Sequence, residues 1–169
     1  MINIENILKE IRTIPLYQDL ADKTNYSKNK EFYRGFQIPL QGIKDVSKEF
    51  NPLTYGVGRM DDLQHEESDF TDFIYELPYT NGVIKECNMF RTRLMVLRPK
   101  ACYFYHSDGT KRIHIPLITD PDCFFVIEDE VYRFPADGTW SIVDTTKMHT
   151  AINASRINRY HIVGCIKEN

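Results

Sequence analysis

No stretch of these 169 residues is long and apolar enough to cross a bilayer, which takes ~20 consecutive apolar residues. The N-terminus, Met1-Ile2-Asn3-Ile4-Glu5, lacks the basic start and apolar stretch of a signal peptide. Charge of one sign is missing too. Lys and Arg number 21 against 24 Asp and Glu, so the net charge of −3 offers no broad basic surface to nucleic acid or an anionic membrane. Cysteines are few, and Cys87, Cys102, Cys123 and Cys165 form no C-x-x-C pair, which argues against a zinc ribbon or a thioredoxin motif. The expectation is a reducing, cytoplasmic setting with free thiols and no membrane or nucleic-acid partner.

Aromatic residues are plentiful. Ten Tyr and ten Phe favour strands and a packed interior. The length suits one domain with a real core and is short for two. We expect a single domain over 1–169, with helical and irregular support in 1–90 and a β core in 91–166. Ile4, Ile7, Leu8, Ile11 and Ile14 recur at helical spacing up to Pro15, which predicts an amphipathic helix packed on the main body. Gly and Pro break residues 17–66 into short pieces. Strands are expected around 32–38 and 53–57, with a helical turn at 44–50. His65-Glu66-Glu67-Ser68-Asp69 reads as the acidic start of a helix over 69–77 and not as a metal site. A further short helix is expected from about Thr80.

From Arg91 onward, segments of strand length follow one another between turn signals. The expected strands are 91–97, 101–106, 111–118, 123–127, 130–135, 140–143, 147–152 and 157–166. Eight short strands with no room for crossover helices predict a mainly β jelly roll, with the N-terminal helices packed outside. Alternation places Arg112 and His114 on one face of their strand and Ile113, Ile115 and Leu117 on the other. Arg159 and His161 likewise share a face, opposite Tyr160 and Ile162. Arg and His on an inward face predict a polar interior cavity, because each needs a partner there. Arg93 lies on a strand whose inward face is not settled by its pattern, and it is a candidate substrate contact.

The stretch Tyr105-His106-Ser107-Asp108-Gly109 ends an apolar aromatic run. His106 and Asp108, two apart on an extended chain, point the same way. His149 follows 41 residues after Asp108, and Arg159 ten after that. Two His and one carboxylate with other positions open is the donor set of non-haem Fe(II) oxygenases. Other readings stay open on the residues alone. Asp108-Gly109 could simply make a hairpin, His149 could be a core histidine, and Arg159 could sit in an interior ion pair.

Several spaced elements, in order, carry a resemblance. They are Arg93-Leu94-Met95-Val96-Leu97-Arg98-Pro99, His106-Ser107-Asp108, Arg112-Ile113-His114-Ile115-Pro116-Leu117, Gly138-Thr139-Trp140, Asp144, His149, Asn153 and Arg159-Tyr160-His161. Over about residues 91–166 the chain resembles the aspartyl/asparaginyl β-hydroxylase family, which includes bacterial proline hydroxylases. The resemblance implies a double-stranded β-helix (cupin-like) and an Fe(II)/2-oxoglutarate-dependent dioxygenase. Such an enzyme hydroxylates a C–H bond of an amino acid, or of a residue in a peptide or protein, while 2-oxoglutarate becomes succinate. By position, His106, Asp108 and His149 would hold Fe(II). Arg159 would meet the distal carboxylate of 2-oxoglutarate, with His114 and Arg112 as further co-substrate contacts. His161 is assigned to packing or outer hydrogen bonding, and Trp140 and Asp144 to structure. Lys100 departs from the family, which usually has Gly after this Pro. Two alternatives to the oxygenase are a jelly-roll binding module without turnover and a cupin metalloprotein of other chemistry.

Overall fold

The structure, a computed structural model, describes residues 1–22, 35–43 and 65–167. The turn expected at 44–50, the strand at 53–57 and the start of the strand at 32–38 lie outside the described residues. The chain opens with helices α1 (Ile4–Ile11) and α2 (Pro15–Asp22), then strands β1 (Gly35–Pro39) and β2 (Gln41–Gly42). A 3-10 turn (Glu67–Asp69), β3 (Asp72–Phe73) and α3 (Pro78–Glu86) come next. Eight strands complete it: β4 (Phe90–Leu97), β5 (Ala101–Cys102), β6 (Arg112–Ile118), β7 (Cys123–Ile127), β8 (Glu130–Tyr132), β9 (Ser141–Val143), β10 (His149–Asn153) and β11 (Arg159–Cys165).

These eight strands pair in a nested series. β7 pairs with β8, β6 with β9, β5 with β10 and β4 with β11, all antiparallel. The chain therefore doubles back at the β7–β8 hairpin, and its two arms run side by side. Successive pairs fall alternately into a four-stranded sheet, β5-β10-β7-β8, and a five-stranded sheet, β1-β4-β11-β6-β9. A paired ribbon coiled in this way is a double-stranded β-helix, the jelly roll expected from the strand pattern. The β11–β6 and β10–β7 ladders join one turn of the ribbon to the next.

The alternation along β6 and β11 has the consequence read from it. Ile113, Ile115, Leu117 and Ile162 face outward into a core completed by Ile7, Ile11 and Ile14 near the N-terminus and by Val83 and Ile84 of α3. The helices cover that face, so β6 is buried on both sides. Each fully buried Ile or Leu contributes roughly 1.5–3 kcal/mol. Asn3 caps α1 by accepting a hydrogen bond from the Asn6 amide at 3.1 Å. Pro15 ends the α1 run and also opens α2, a position where its missing N–H costs nothing. Pro78 does the same for α3, whose Tyr79 and Thr80 amides donate to the Glu10 carboxylate of α1 at 2.9 and 2.8 Å. At Gly35 a Cβ would stand 1.8 Å from the Val96 carbonyl oxygen, so only glycine lets β1 lie this close to β4.

Two expectations need correction. Residues 69–77 are not a helix. After the single turn at Glu67–Asp69 the chain extends and β3 pairs with β2. The turn is closed by Asp69, whose carboxylate accepts from the Glu66 amide at 2.9 Å. The strand expected over 101–106 stops at Cys102, and only a lone bridge at His106 continues it. The departure at Lys100 also has a structural meaning. Its φ of 60° is left-handed, the conformation a glycine would adopt without strain.

Candidate metal centre

The seven residues singled out in the sequence, Arg93, His106, Asp108, Arg112, His114, His149 and Arg159, all line one cavity of about 610 Å³ between the two sheets. Backbone pairing sets the centre. His106 and His149 form an isolated antiparallel bridge, with the His106 amide 3.0 Å from the His149 carbonyl and the His149 amide 2.7 Å from the His106 carbonyl. Directly opposed residues bring their side chains together on one face, and the two imidazoles lie with ring centroids 4.5 Å apart.

Both rings are oriented by main-chain carbonyls. His106 Nδ1 is 2.6 Å from the Phe104 oxygen, and His149 Nδ1 is 2.9 Å from the Lys147 oxygen. A carbonyl only accepts, so each Nδ1 carries a proton, and in a neutral ring Nε2 is then the nitrogen able to ligate. Those two Nε2 atoms point at Asp108, at 3.9 and 3.8 Å from its carboxylate oxygens. Such separations exceed a hydrogen bond. They leave room for an ion between three ligand atoms that all lie within 4.8 Å of one another. Among the described residues this is the one cluster of that kind. Burial holds the His149 pKa below its usual value, which favours the neutral imidazole.

Asp108 is steadied from behind. Arg112 Nε lies 3.3 Å from Asp108 Oδ2, close enough for charge attraction although not aligned as a hydrogen bond. The rest of that guanidinium forks onto Glu67, with Nη1 donating to Oε2 at 3.0 Å and Nη2 to Oε1 at 2.8 Å. Thr110 and Arg91 donate to the same carboxylate. Burial alone would raise the Glu67 pKa. The hydrogen bond and charge of Arg112, the Thr110 hydroxyl and the charge of Arg91 outweigh it and hold the group down at about 2. Sequence reading missed this role of Glu67, for it took the acidic run as a helix start. Arg112 is thus spoken for by two carboxylates.

Arg159 stands at the other end of the cavity, 1% exposed. Its Cζ lies 5.0 Å from the centre of the Phe125 ring, and its Nε and Nη1 have no hydrogen-bond partner among the described residues. Burial lowers its pKa to about 10, which leaves it charged at neutral pH. The turn that delivers it is knotted by Asn153, which donates to the Leu97 and Ile157 carbonyls and accepts from the Ser155 amide. His114 packs edge-on against Phe125 and sets its Nδ1 3.4 Å from Nδ1 of the buried His161. Trp140 and Asp144 line other hollows, outside this cavity.

His114 and His161 are both held well below the ordinary imidazole value of 6.5, first by burial and then by the Arg159 charge. The unfolded chain takes up these protons as the pH falls through about 6.5 while the folded protein does not. Their stabilising effect is therefore full above that pH and declines below it. Urea midpoints are expected to fall between pH 7 and 5, and His161→Gln, with one such group fewer, to flatten the slope.

No curated protein matches the chain. Among solved structures it is similar to the plu4264 protein of Photorhabdus luminescens (18% identity, TM-score 0.39, 46% of this chain and 62% of that one). It is also similar to a cupin domain from Bordetella pertussis (15%, 0.40, 46% and 80%). A third is a predicted oxalate decarboxylase from Thermotoga maritima (16%, 0.40, 51% and 73%). The chain spans less than two thirds of the length of the first of these. The family model for aspartyl/asparaginyl beta-hydroxylase matches residues 5–167, so the relationship extends through the N-terminal helices, well before the motifs that begin at Arg93. A model matched over nearly the whole sequence settles the affiliation: the chain belongs to the aspartyl/asparaginyl beta-hydroxylase family.

Proposed function

We propose that the protein is an Fe(II)- and 2-oxoglutarate-dependent dioxygenase. It hydroxylates a C–H bond of an amino acid, or of an amino-acid residue in a peptide or protein, as 2-oxoglutarate is decarboxylated to succinate. The observation that carries this reading is Arg159. A buried cation without an anion is costly, and this one, with no carboxylate paired to it among the described residues, lies in the same cavity as the His106, Asp108 and His149 cluster. A molecule that chelates a metal at one end and carries a carboxylate at the other answers both features. Two neutral imidazoles and a carboxylate suit Fe(II) and leave positions open for a bidentate ligand and dioxygen.

In this reading His106, Asp108 and His149 hold the iron, which supplies the oxidative chemistry with dioxygen. Arg159 receives the distal carboxylate of 2-oxoglutarate, because its planar fork donates two parallel hydrogen bonds. His114 is a further co-substrate contact and stays neutral. Arg112 acts through Asp108, holding its carboxylate towards the cluster. Phe125 and Phe134 pack around His114 and help exclude water.

Succinate formation from 2-oxoglutarate with Fe(II), ascorbate and oxygen tests the reading. Wild type is expected to turn over, His106→Ala to be inactive, and Arg159→Ala to need roughly 10–100-fold more 2-oxoglutarate, the loss of one charge-assisted contact of about 1.5–3 kcal/mol. Arg159→Lys should recover little, since a point charge does not replace the fork. Failure of the metal-loaded wild type to bind 2-oxoglutarate would sink the oxygenase reading.

A further inference from the structure

Three histidines line the cavity, and their Nδ1 atoms do not all face the same kind of group. At His106 and His149 the neighbour is a main-chain carbonyl, which can only accept. Those neutral rings keep their proton on Nδ1 and turn Nε2 to the ion site. At His114 the neighbour is another ring nitrogen, Nδ1 of His161, at 3.4 Å, a long hydrogen bond. An imidazole nitrogen can donate or accept. The proton between these two rings can therefore belong to either, and its owner decides what His114 offers the cavity.

Both rings are neutral at pH 7, since burial and the Arg159 charge disfavour a second proton on either. Two lone pairs or two N–H groups facing one another would repel, so one proton lies between them. Two arrangements remain. If His114 holds that proton, its Nε2 is a bare lone pair. If His161 holds it, the proton of His114 sits on Nε2. Either way Nε2 of His161 is buried with no hydrogen-bond partner among the described residues, so that cost is common to both. The choice falls to Nε2 of His114, because His114 lines the cavity and His161 does not. With a dicarboxylate held beside Arg159, a lone pair there would face negative charge, whereas an N–H would donate to it. Phe125, edge-on at 4.9 Å, and Phe134, stacked at 6.1 Å, flank the His114 ring without offering it a competing acceptor.

We propose that His161 is a positioning residue: its Nδ1–H donates to Nδ1 of His114 and holds the His114 proton on Nε2, where it serves as a donor to the co-substrate. This inference rests on the oxygenase reading above. One cavity then needs imidazoles of both tautomers. Main-chain carbonyls set His106 and His149 as acceptors towards a metal, and a second imidazole sets His114 as a donor towards an anion. A carbonyl behind His114 would fix the opposite tautomer, and an apolar side chain would fix neither.

The test uses the full chain loaded with zinc, which is redox-silent, in saturating 2-oxoglutarate. The chain has five histidines, few enough for proton–nitrogen NMR to read the tautomer of each ring. His114 is expected to be protonated on Nε2 and His161 on Nδ1. His114 protonated on Nδ1 overturns the proposal. Two variants then separate positioning from packing. His161→Leu fills the space without a donor. Its 2-oxoglutarate affinity, read by calorimetry, should fall about tenfold, the loss of a well-placed donor to a charged group. Its urea midpoint at pH 7 should not fall, because a buried nitrogen without a partner has been removed. His161→Asn carries an amide N–H on the same Cγ that bears Nδ1 in histidine, and should recover most of the affinity. Affinity that follows the urea midpoint, with His161→Asn no better than His161→Leu, makes His161 a packing residue and overturns the proposal. Failure of the zinc-loaded wild type to bind 2-oxoglutarate at all overturns the oxygenase reading and takes the proposal with it. Binding with the wrong tautomer overturns the proposal alone, so the two failures are distinct.

Discussion

Exchanging His149 for alanine is expected to abolish metal binding and succinate formation while leaving the fold in place. The main chain explains why the two effects separate. The bridge between His106 and His149 uses backbone amides and carbonyls, which alanine retains. The side chain supplies only the ring whose Nδ1 proton is held by the Lys147 carbonyl and whose Nε2 faces Asp108. Without it the cluster keeps one imidazole and one carboxylate, too few to compete with water for a divalent ion. The loss in affinity should exceed the roughly 10–100-fold typical of losing an outer-shell partner. Metal content after reconstitution, read beside the urea midpoint, checks both halves. A variant that retains stoichiometric metal would show that Nε2 of His149 is not a ligand.

The strands and the cluster were legible because both depend on local spacing. Alternation along residues 111–118 and 157–163 told inward Arg and His from outward Ile, and the helices now seen over Ile113 and Ile115 confirm that division. The His-x-Asp pair was readable because two residues on an extended chain share a face. What could not be read depends on distant partners. Glu67 looks like any acid near a helix start, since its significance lies in Arg112, 45 residues later. Asp72 and Phe73 extend because β2 offers them a backbone ladder, and local propensity carries no trace of that partner. The run 101–106 has strand composition, yet the chain leaves the sheet after Cys102 and Phe104 is left 73% exposed where it lines the cavity. Local rules failing at the rim of a site is the usual pattern in folded proteins.

Glu67→Ala should be the most destabilising single change near the site, at about 3–5 kcal/mol, the cost of stripping a buried ion pair of one partner. The effect is large because Glu67 serves two guanidiniums. The side chains of Arg91 and Arg112 are 4% and 3% exposed, so neither can turn to water when the carboxylate goes. Charge, not shape, carries most of the deficit, and that has two checkable consequences. Replacing Arg112 with Met in the Glu67→Ala background should recover part of the stability, because an apolar residue removes one of the two buried charges, the one left with Asp108 as its single carboxylate among the described residues. The gap between wild type and Glu67→Gln should also depend on pH. The Glu67 pKa drops from 4.5 to about 2 on folding. Its contribution is therefore complete above about pH 4.5 and is lost as the pH falls towards 2. Urea midpoints measured from pH 6 down to pH 3 should converge at the acid end. A deficit below about 1 kcal/mol at pH 7 would mark Glu67 as no more than a surface pair. The same variant links stability to function. With Glu67 gone, Arg112 loses the fork that fixes it 3.3 Å from Asp108, so metal affinity should weaken roughly 10–100-fold even where the protein remains folded.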